Sequence, residues 1–419
     1  MTQYITKLWN SWRGMSLVLR IFVGLVIGAI IGLCCPQWKA LSLFGTMFVG
    51  ALKAIAPVLV AVLVASSLAK AQGGLGRRFR TVIILYLCTT LLAAMVAVFG
   101  SMIFPVSIVL EGSADGAAPS GLDDVFNTLA LNLVSNPLQA TASANYLGVL
   151  FWGIVIGFAL KKKASATTIQ MVDDFAQVVS TAVRWVIQFA PFGVMGLVFK
   201  SVSESGMDIF LVYGKLVMLL VGCMLFVALV LNPFVVFIIL HRNPYPLVFK
   251  CLKDSGLNAF FTRSSAANIP VNMALCEKLG LDKDFYSVCI PLGSTINMNG
   301  AAITITVMTL AVCHTMGIEV SIPTALILCS LATLGACGAS GVAGGSLLLI
   351  PMSCSLFGIG NEIAMQAVAV GFIISVIQDS VETALNSSSD VLFAATAEMA
   401  EKKGGSLSRP PQRGGDCRM

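Results

Sequence analysis

The sequence predicts an all-α polytopic membrane protein. Of its 419 residues, 57% are apolar and only 11% are charged, which is too little charge to cover the surface of a water-soluble chain of this length. Several apolar stretches reach the roughly 20 residues that a helix needs to cross the hydrocarbon core of a bilayer. In the second half of the chain, short polar clusters interrupt these stretches.

Six apolar stretches predict the first six membrane helices. In chain order they cover residues 16–34, 44–69, 81–103, 146–160, 176–199 and 215–240.

Basic residues predict how these helices are oriented. They follow the second, fourth and sixth helices, whereas residues 105–145 contain four acids and no lysine or arginine. Since basic loops stay in the cytoplasm, the N-terminus lies there. The C-terminus lies there too, because residues 401–419 combine basic residues with Gly and Pro and are predicted to form a disordered tail. The net charge of +6 comes from such short clusters, so we expect no nucleic-acid partner.

Four polar clusters break the apolar pattern after residue 250: TRSSAANIP (262–270), GSTINMNGA (293–301), GACGASGVAGG (335–345) and DSVETALNSSSD (379–390). Backbone that leaves a helix at membrane depth is tolerated only where protein or water satisfies its polar groups. The first and third clusters have apolar arms on both sides, as a re-entrant hairpin requires. Each precedes a long helix, and this repeat is typical of the binding site of a secondary transporter. For residues 335–345 alone, the alternative is a close packing face of small residues.

The fourth cluster forms a polar stripe. Asp379, Thr383, Asn386 and Asp390 are spaced by 4, 3 and 4 residues, so they fall within a strip roughly 60° wide on one helix face. Glu382 borders this strip. Each acid costs at least about 2.5 kcal/mol at the centre of a bilayer. We therefore expect the stripe to face a site that supplies a cation: a substrate ammonium, a metal ion or a proton.

A structural ion pair is the plainer interpretation of these acids. Arg263 is the only basic residue in the four clusters, and one arginine cannot neutralise three acids. Hard monovalent cations prefer oxygen ligands, which broken helices expose, so Asp390 is a candidate sodium ligand. The hairpin tips offer helix N-termini, which attract a carboxylate. A zwitterionic substrate would suit both ends of such a site.

The clusters TRSSAANIP, NMNGA and DSVETALNSSSD resemble the signature segments of the dicarboxylate/amino acid:cation symporter family, the glutamate transporter homologues. The resemblance covers about residues 16–400. It implies eight transmembrane helices plus two re-entrant helical hairpins, built as inverted repeats, in a lipid-embedded, elevator-type homotrimer of the bacterial inner membrane. The implied scaffold part comprises residues 16–69 and 146–199. The implied transport part comprises residues 81–104 and 215–397, with hairpins at 248–277 and 320–356.

The resemblance also implies the substrate-binding residues. They are Arg263, Ser264 and Ser265 in the first hairpin tip, Ser340 in the second, and Asp379, Glu382, Thr383 and Asn386 on the striped helix. Asp379 and Asn386 would meet the ammonium and the carboxylate of the substrate. Glu382 stands where carriers of acidic amino acids have an arginine, so it would repel a distal carboxylate and accept a hydrogen bond from a hydroxyl. We therefore predict sodium-coupled import of small neutral amino acids, serine and threonine.

For Na⁺, the resemblance implies up to three sites. The first uses backbone carbonyls of Gly293, Asn297 and Asn386 and the Asp390 carboxylate. The second uses Thr295, Met298, Thr333, Leu334 and Ala336, largely through backbone oxygens. The third would use Tyr86, Thr89, Thr90, Asn297 and an aspartate, but Asn299 stands where that aspartate is expected. The lost charge weakens this third site and predicts a smaller sodium stoichiometry.

Other functions stay open at this point. Coupling to protons through Asp379, Glu382 or Asp390 is the first alternative, because buried acids also exchange protons. An ion channel would likewise place polar residues at membrane depth. An enzyme is disfavoured, since the two histidines, His241 and His314, lie at a helix end and in an apolar stretch.

Overall fold

The computed structural model describes residues 14–70, 76–110, 131, 133–337 and 344–407. All regular secondary structure within these ranges is helical, as the sequence predicts. Three 3₁₀ helices, Lys39–Leu41, Gly206–Asp208 and Leu347–Leu349, and two π-helical turns, Val227–Leu231 and Leu252–Gly256, join the main elements. The α-helices are α1 (Leu17–Cys34), α2 (Ser42–Lys70), α3 (Gly76–Ile103), α4 (Pro137–Ala142), α5 (Tyr146–Lys163), α6 (Ala166–Gln188), α7 (Ala190–Ser205), α8 (Ile209–Phe226), α9 (Asn232–Leu240), α10 (Tyr245–Cys251), α11 (Leu257–Thr262), α12 (Ile269–Lys278), α13 (Lys283–Ile296), α14 (Asn299–Thr315), α15 (Ile322–Ala336), α16 (Ile350–Ser355) and α17 (Asn361–Leu407).

Six helical stretches of the described chain are long and apolar enough to cross a bilayer. The chain is therefore a multi-pass membrane protein, and its predicted total of eight spans stays a prediction. The six stretches are Leu17–Cys34, Lys39–Lys70, Arg78–Ile103, Ala190–Leu240, Lys283–Thr315 and Asn361–Lys402.

The helices α1, α2, α5, α6 and α7 pack together as a first group. α1 approaches α7 so closely that a Cβ atom on Gly24 would stand 2.2 Å from the carbonyl oxygen of Pro191. A Cβ atom on Gly28 would stand 2.4 Å from that of Met195. Small residues allow this approach between membrane helices. The opposite face of α1 presents large apolar side chains such as Phe22, 51% exposed, which suits contact with lipid.

The single helix predicted for residues 176–199 is wrong, because the structure has two helices, α6 and α7, that meet at Phe189. Pro191 lies in the first turn of α7, where no backbone donor is needed. In one continuous helix, its missing N–H would leave the carbonyl of Ile187 without a donor. The apolar pattern runs through this break and so gave no sign of it.

α14 lies at the centre of a second group, in contact with α3, α8, α15, α16 and α17. Every residue from Asn299 to Cys313 is buried. Such a helix is enclosed by protein on all sides, although it carries several hydroxyl groups, among them Thr304 and Thr306.

Each predicted hairpin region contains two helical arms. In the first, α10 and α11 form one arm through the π-helical turn Leu252–Gly256, and α12 forms the other. In the second, α15 is one arm, and Leu347–Leu349 with α16 is the other. Arms of both regions contact α17. Their depth in the membrane, which makes a hairpin re-entrant, stays a prediction.

The end of α17 corrects the predicted tail. The helix continues to Leu407, so residues 401–407 are helical. Buried Glu398 holds the preceding turns, since it accepts hydrogen bonds from the backbone N–H of Asp282 at 3.0 and 3.1 Å and pairs with Lys402 at 2.7 Å. The rest of the predicted tail, residues 408–419, lies outside the described residues.

Candidate functional site

A buried amide network fixes the first hairpin region to α17. Asn268 Nδ2 donates to the hydroxyl of Ser387 at 2.7 Å, and Asn272 Nδ2 donates to the carbonyl oxygen of Ser387 at 3.1 Å. The hydroxyl of Ser255, in the π-helical turn, donates to Asn272 Oδ1 at 2.5 Å. All four residues are buried. This network places the connection between α11 and α12 beside the polar stripe.

Asp379 lies between the two hairpin regions. Its Oδ2 accepts a hydrogen bond from Arg263 Nε at 2.7 Å, and its Oδ1 accepts one from the backbone N–H of Gly344 at 3.3 Å. Arg263 is 6% exposed and Asp379 2%, so this is a buried ion pair. Arg263 ends α11 in the left-handed conformation, with φ of 51°, which is uncommon for a residue with a side chain. The stripe therefore contains one acid that protein neutralises.

Glu382 is held by hydroxyl and amide donors. Its Oε2 accepts hydrogen bonds from Thr304 at 2.7 Å, Ser346 at 2.9 Å and Gln378 Nε2 at 2.5 Å. In the described part of the chain, no lysine or arginine pairs with it. The next residue, Thr383, donates its hydroxyl proton to the carbonyl oxygen of Asp379 at 2.7 Å.

Asn386 and Asp390 adjoin the break between α13 and α14. Asn386 Oδ1 accepts a hydrogen bond from the N–H of Gly300 at 2.7 Å. Asn297 Nδ2 donates to Asp390 Oδ1 at 2.8 Å and lies 3.2 Å from the carbonyl oxygen of Asn386. Asp390 Oδ2 and Asn297 Oδ1 are buried and have no hydrogen-bond partner among the described residues. Two unpaired oxygen acceptors in one buried site suit a cation, since buried polar groups are rarely left unpaired.

Gly293 lets α13 approach this site. A Cβ atom at Gly293 would stand 2.8 Å from Asp390 Oδ1 and 2.9 Å from the hydroxyl oxygen of Tyr86. Any side chain there would displace the carboxylate or the phenol. The Tyr86 hydroxyl donates to the carbonyl oxygen of Asp390 at 3.0 Å, so α3 also supports this part of α17.

The second predicted sodium set spans two elements. Thr295 and Met298 lie beside the α13–α14 break, whereas Thr333, Leu334 and Ala336 lie in the last turns of α15. The two elements meet, because Cys337 Sγ lies 3.5 Å from the carbonyl oxygen of Ile296.

Both hydroxyl groups of this second set are already used within their own helices. Thr295 donates to the carbonyl oxygen of Leu292 and Thr333 to that of Cys329. Their oxygen atoms keep lone pairs for a cation, and the predicted ligand set, largely of backbone oxygens, stays a prediction.

The structure brings the residues of the third sodium set together without an acid. Asn299 Oδ1 lies 2.9 Å from the hydroxyl of Thr90 and 3.4 Å from that of Thr89. Asn299 Nδ2 is buried with no partner in the described part of the chain. A neutral amide thus occupies the place where the family resemblance implies an aspartate.

The three serine residues predicted in the hairpin tips differ in their surroundings. Ser264 accepts a hydrogen bond from the N–H of Ala267 at 3.2 Å, and Ser265 is buried. Ser340 lies outside the described residues.

Sequence reasoning missed Thr304, Ser346 and Gln378. Gln378 directly precedes the stripe and is spaced four residues from Glu382, so helical periodicity places both on one side of α17. That spacing was a readable signal. Thr304 and Ser346 are distant in sequence, and only the packing of three elements brings them to the acid.

The described residues form a multi-pass helical fold that buries an acidic stripe beside two helical hairpin regions, an arrangement typical of membrane transport proteins. The chain belongs to the sodium:dicarboxylate symporter family, whose model matches residues 17–399. This confirms the family that the signature segments predict, and with it a transporter and not an enzyme.

Curated relatives cover nearly the whole chain. A serine/threonine transporter SstT from Bifidobacterium adolescentis is 59% identical over 390 residues, which cover 93% of this chain and 91% of that protein. Serine/threonine transporters SstT from Streptococcus thermophilus and Streptococcus agalactiae are 55% and 54% identical, over 94% and 93% of this chain and 98% and 97% of their own lengths. The names of these relatives contain the two amino acids, serine and threonine, that the sequence analysis predicts as substrates.

Proposed function

We propose that this protein is a sodium-coupled symporter that imports serine and threonine across the bacterial inner membrane. The observation that carries this proposal is the burial of Asp379, Glu382 and Asp390 in the polar stripe region of α17, with a basic partner for only one of these three acids. Arg263 pairs with Asp379, whereas no lysine or arginine of the described residues pairs with Glu382 or Asp390. Uncompensated acids are costly in this environment, so transported ligands are their natural partners.

Sodium is assigned first to Asp390. The carboxylate supplies charge, and Asp390 Oδ2 and Asn297 Oδ1 supply oxygen atoms that take no hydrogen bond from the described residues. The carbonyl oxygen of Gly293 accepts one hydrogen bond, from the N–H of Asn297, which leaves a second lone pair for an ion. The carbonyl oxygen of Asn386 accepts from both Asn297 Nδ2 and the hydroxyl of Ser389, so a bound ion would have to replace one of these donors. The second set, at the end of α15, would hold a further Na⁺, and the neutral Asn299 argues against a third.

The substrate is assigned to the space between the stripe and the hairpin connections. Its ammonium would bind Asp379, and its carboxylate would bind the side-chain amide of Asn386 and the backbone donors of the second tip, which contains Ser340. Thr383 would border its side chain. Arg263 already neutralises part of the charge of Asp379. The carboxylate would therefore keep a basic partner before the substrate ammonium binds and after it leaves.

Glu382 supports the choice of a neutral hydroxy amino acid. The family takes its name from dicarboxylates, yet a buried acid here would repel a second carboxylate on the substrate. An acceptor that pairs with a hydroxyl discriminates strongly against analogues without one. The names of the curated relatives, serine/threonine transporters, support the same substrate class.

We assign the two packed groups of helices to different tasks. The first group, residues 16–69 and 146–199, would be the scaffold of a homotrimer. The second, residues 81–104 and 215–397 with both hairpins, would move across the membrane as an elevator, with both chain termini cytoplasmic. The ion pair between Lys53 on α2 and Glu362 on α17 joins the groups across their seam.

Transport by the purified protein in lipid vesicles tests this function. Radiolabelled serine uptake is measured with an inward sodium gradient, with an inward proton gradient and with neither, and with threonine or aspartate as competitor. We expect uptake only with sodium, inhibition by threonine, and little inhibition by aspartate. Uptake that persists without sodium but follows the proton gradient would replace this proposal with proton coupling.

A further inference from the structure

The two oxygen atoms of the Glu382 carboxylate have different surroundings. Oε2 accepts all three hydrogen bonds, from Thr304, Ser346 and Gln378. Oε1 accepts none from the described residues and is not among the enclosed, unpaired atoms. One oxygen is therefore anchored by protein, and the other keeps its lone pairs free to accept a further hydrogen bond.

The directions of these hydrogen bonds are determined. A carboxylate only accepts, so the amide nitrogen of Gln378 has to face it. The same nitrogen donates to Thr304 Oγ1 at 2.7 Å, which leaves the hydroxyl proton of Thr304 for Glu382. Gln378 Oε1 is buried and takes no hydrogen bond within the described part of the chain. Each donor in this network therefore has one possible direction, and such a network holds the Glu382 side chain in one orientation.

We propose that Gln378, Thr304 and Ser346 are specificity-positioning residues that aim Glu382 Oε1 at the side-chain hydroxyl of the substrate. The inference rests on the proposed function and names the contact that gives selectivity. In this contact, the substrate hydroxyl donates to Glu382 Oε1 while protein donors hold Oε2. Amino acids with a β-hydroxyl are the matching class. Alanine, which lacks this donor, would leave Oε1 unpaired in the closed site.

Ser346 links this selection to the second hairpin region. It lies two residues after Gly344, whose N–H donates to Asp379, so one short segment contacts two acids of α17. Glu382 is fully anchored only when this segment lies against the stripe. Recognition of the hydroxyl and seating of the hairpin arm are therefore coupled through one serine.

The test uses the full-length protein in lipid vesicles at a fixed, high sodium concentration. Serine, threonine and alanine compete with tracer serine in Gln378→Met and Thr304→Val, with Glu382→Gln as reference. Ser375→Ala is the control on α17, because its buried hydroxyl only donates to the carbonyl oxygen of Phe372. Thr306→Val is the control on α14, since Thr306 is buried and its hydroxyl has no partner among the described residues.

We expect Gln378→Met and Thr304→Val to weaken serine and threonine binding about tenfold, the usual scale for one lost hydrogen bond to a charged group, with alanine inhibition and the maximal rate unchanged. The controls should match the parent protein. The inference would be overturned if Gln378→Met and Thr304→Val bound serine and alanine equally more weakly, or if they bound both as the parent protein does, while Glu382→Gln lost the preference for serine. Absence of sodium-driven serine uptake in the parent protein would instead overturn the proposed function and this inference together.

Discussion

Two regions of the protein differ in how they suit a membrane: α1 is mostly exposed, whereas the stretch from Lys283 to Thr315 is mostly enclosed by protein. In α1, 22% of an apolar 18-residue segment is buried inside the protein, whereas in the stretch from Lys283 to Thr315 the buried share of such a segment is 94%. α1 exposes apolar side chains such as Phe22, whereas Asn297 and Asn299 are completely buried. Polar groups at membrane depth are thus enclosed by protein, and the apolar helices enclose them.

The difference teaches which variants should harm stability and which should harm transport. In the first group, contacts between small residues determine how closely the helices pack. In the second, hydrogen bonds and charges determine the site. A substitution in each region should therefore produce a distinct combination of unfolding and uptake data.

The largest effect is expected from breaking the buried pair of Arg263 and Asp379. Arg263→Met leaves a buried carboxylate unpaired, which typically costs about 3–5 kcal/mol. The double variant Arg263→Met/Asp379→Leu removes both charges and should recover much of that loss. Chemical unfolding of detergent-purified protein measures both. A double variant as unstable as Arg263→Met would show that the pair is not coupled.

Next in size is the loss of charge at Asp390. Asp390→Asn keeps the shape but removes the charge, so we expect sodium affinity to fall about a hundredfold, or about 2.7 kcal/mol. Serine uptake as a function of sodium concentration measures this. Glu398 is the control, because it is a buried acid on the same helix that binds Asp282 and Lys402. The Glu398→Gln variant should keep the sodium dependence of the parent protein. Equal sodium curves for Asp390→Asn and the parent would remove Asp390 from the site.

The sequence predicted the two regions unequally well. Apolar length located α1, α2 and α3, because one long stretch suffices to cross a bilayer. It failed at Phe189, where a proline divides two helices of the same apolar character. The stripe of α17 was readable from its spacing, since all its members lie on one helix. Contacts of Glu382 with Thr304 and Ser346 were not, because they depend on how distant elements pack.

A smaller, purely structural effect is expected at Gly28. In Gly28→Ala, the new Cβ atom meets the backbone of Met195, so α1 and α7 must separate at a cost of about 1–3 kcal/mol. Gly50→Ala on α2 is the matched control, because nothing lies within 4 Å of its Cβ position. It should stabilise the helix by about 0.5–1 kcal/mol. Affinities for sodium and serine should be unchanged in both variants. An altered sodium affinity in Gly28→Ala would contradict the assignment of this packing contact to stability alone.

The smallest effect is expected at the seam between the two groups. Lys53 and Glu362 are 36% and 86% exposed at their side chains, and exposed ion pairs contribute about 0–1 kcal/mol. Lys53→Met should therefore barely change unfolding. Lys70→Met, on the same helix, breaks a pair with Asp173 that also binds Ser66 and lies within the first group, so it should cost more. A moving part needs weak contacts across its seam, and a Lys53→Met variant less stable than Lys70→Met would indicate that the two groups are locked together.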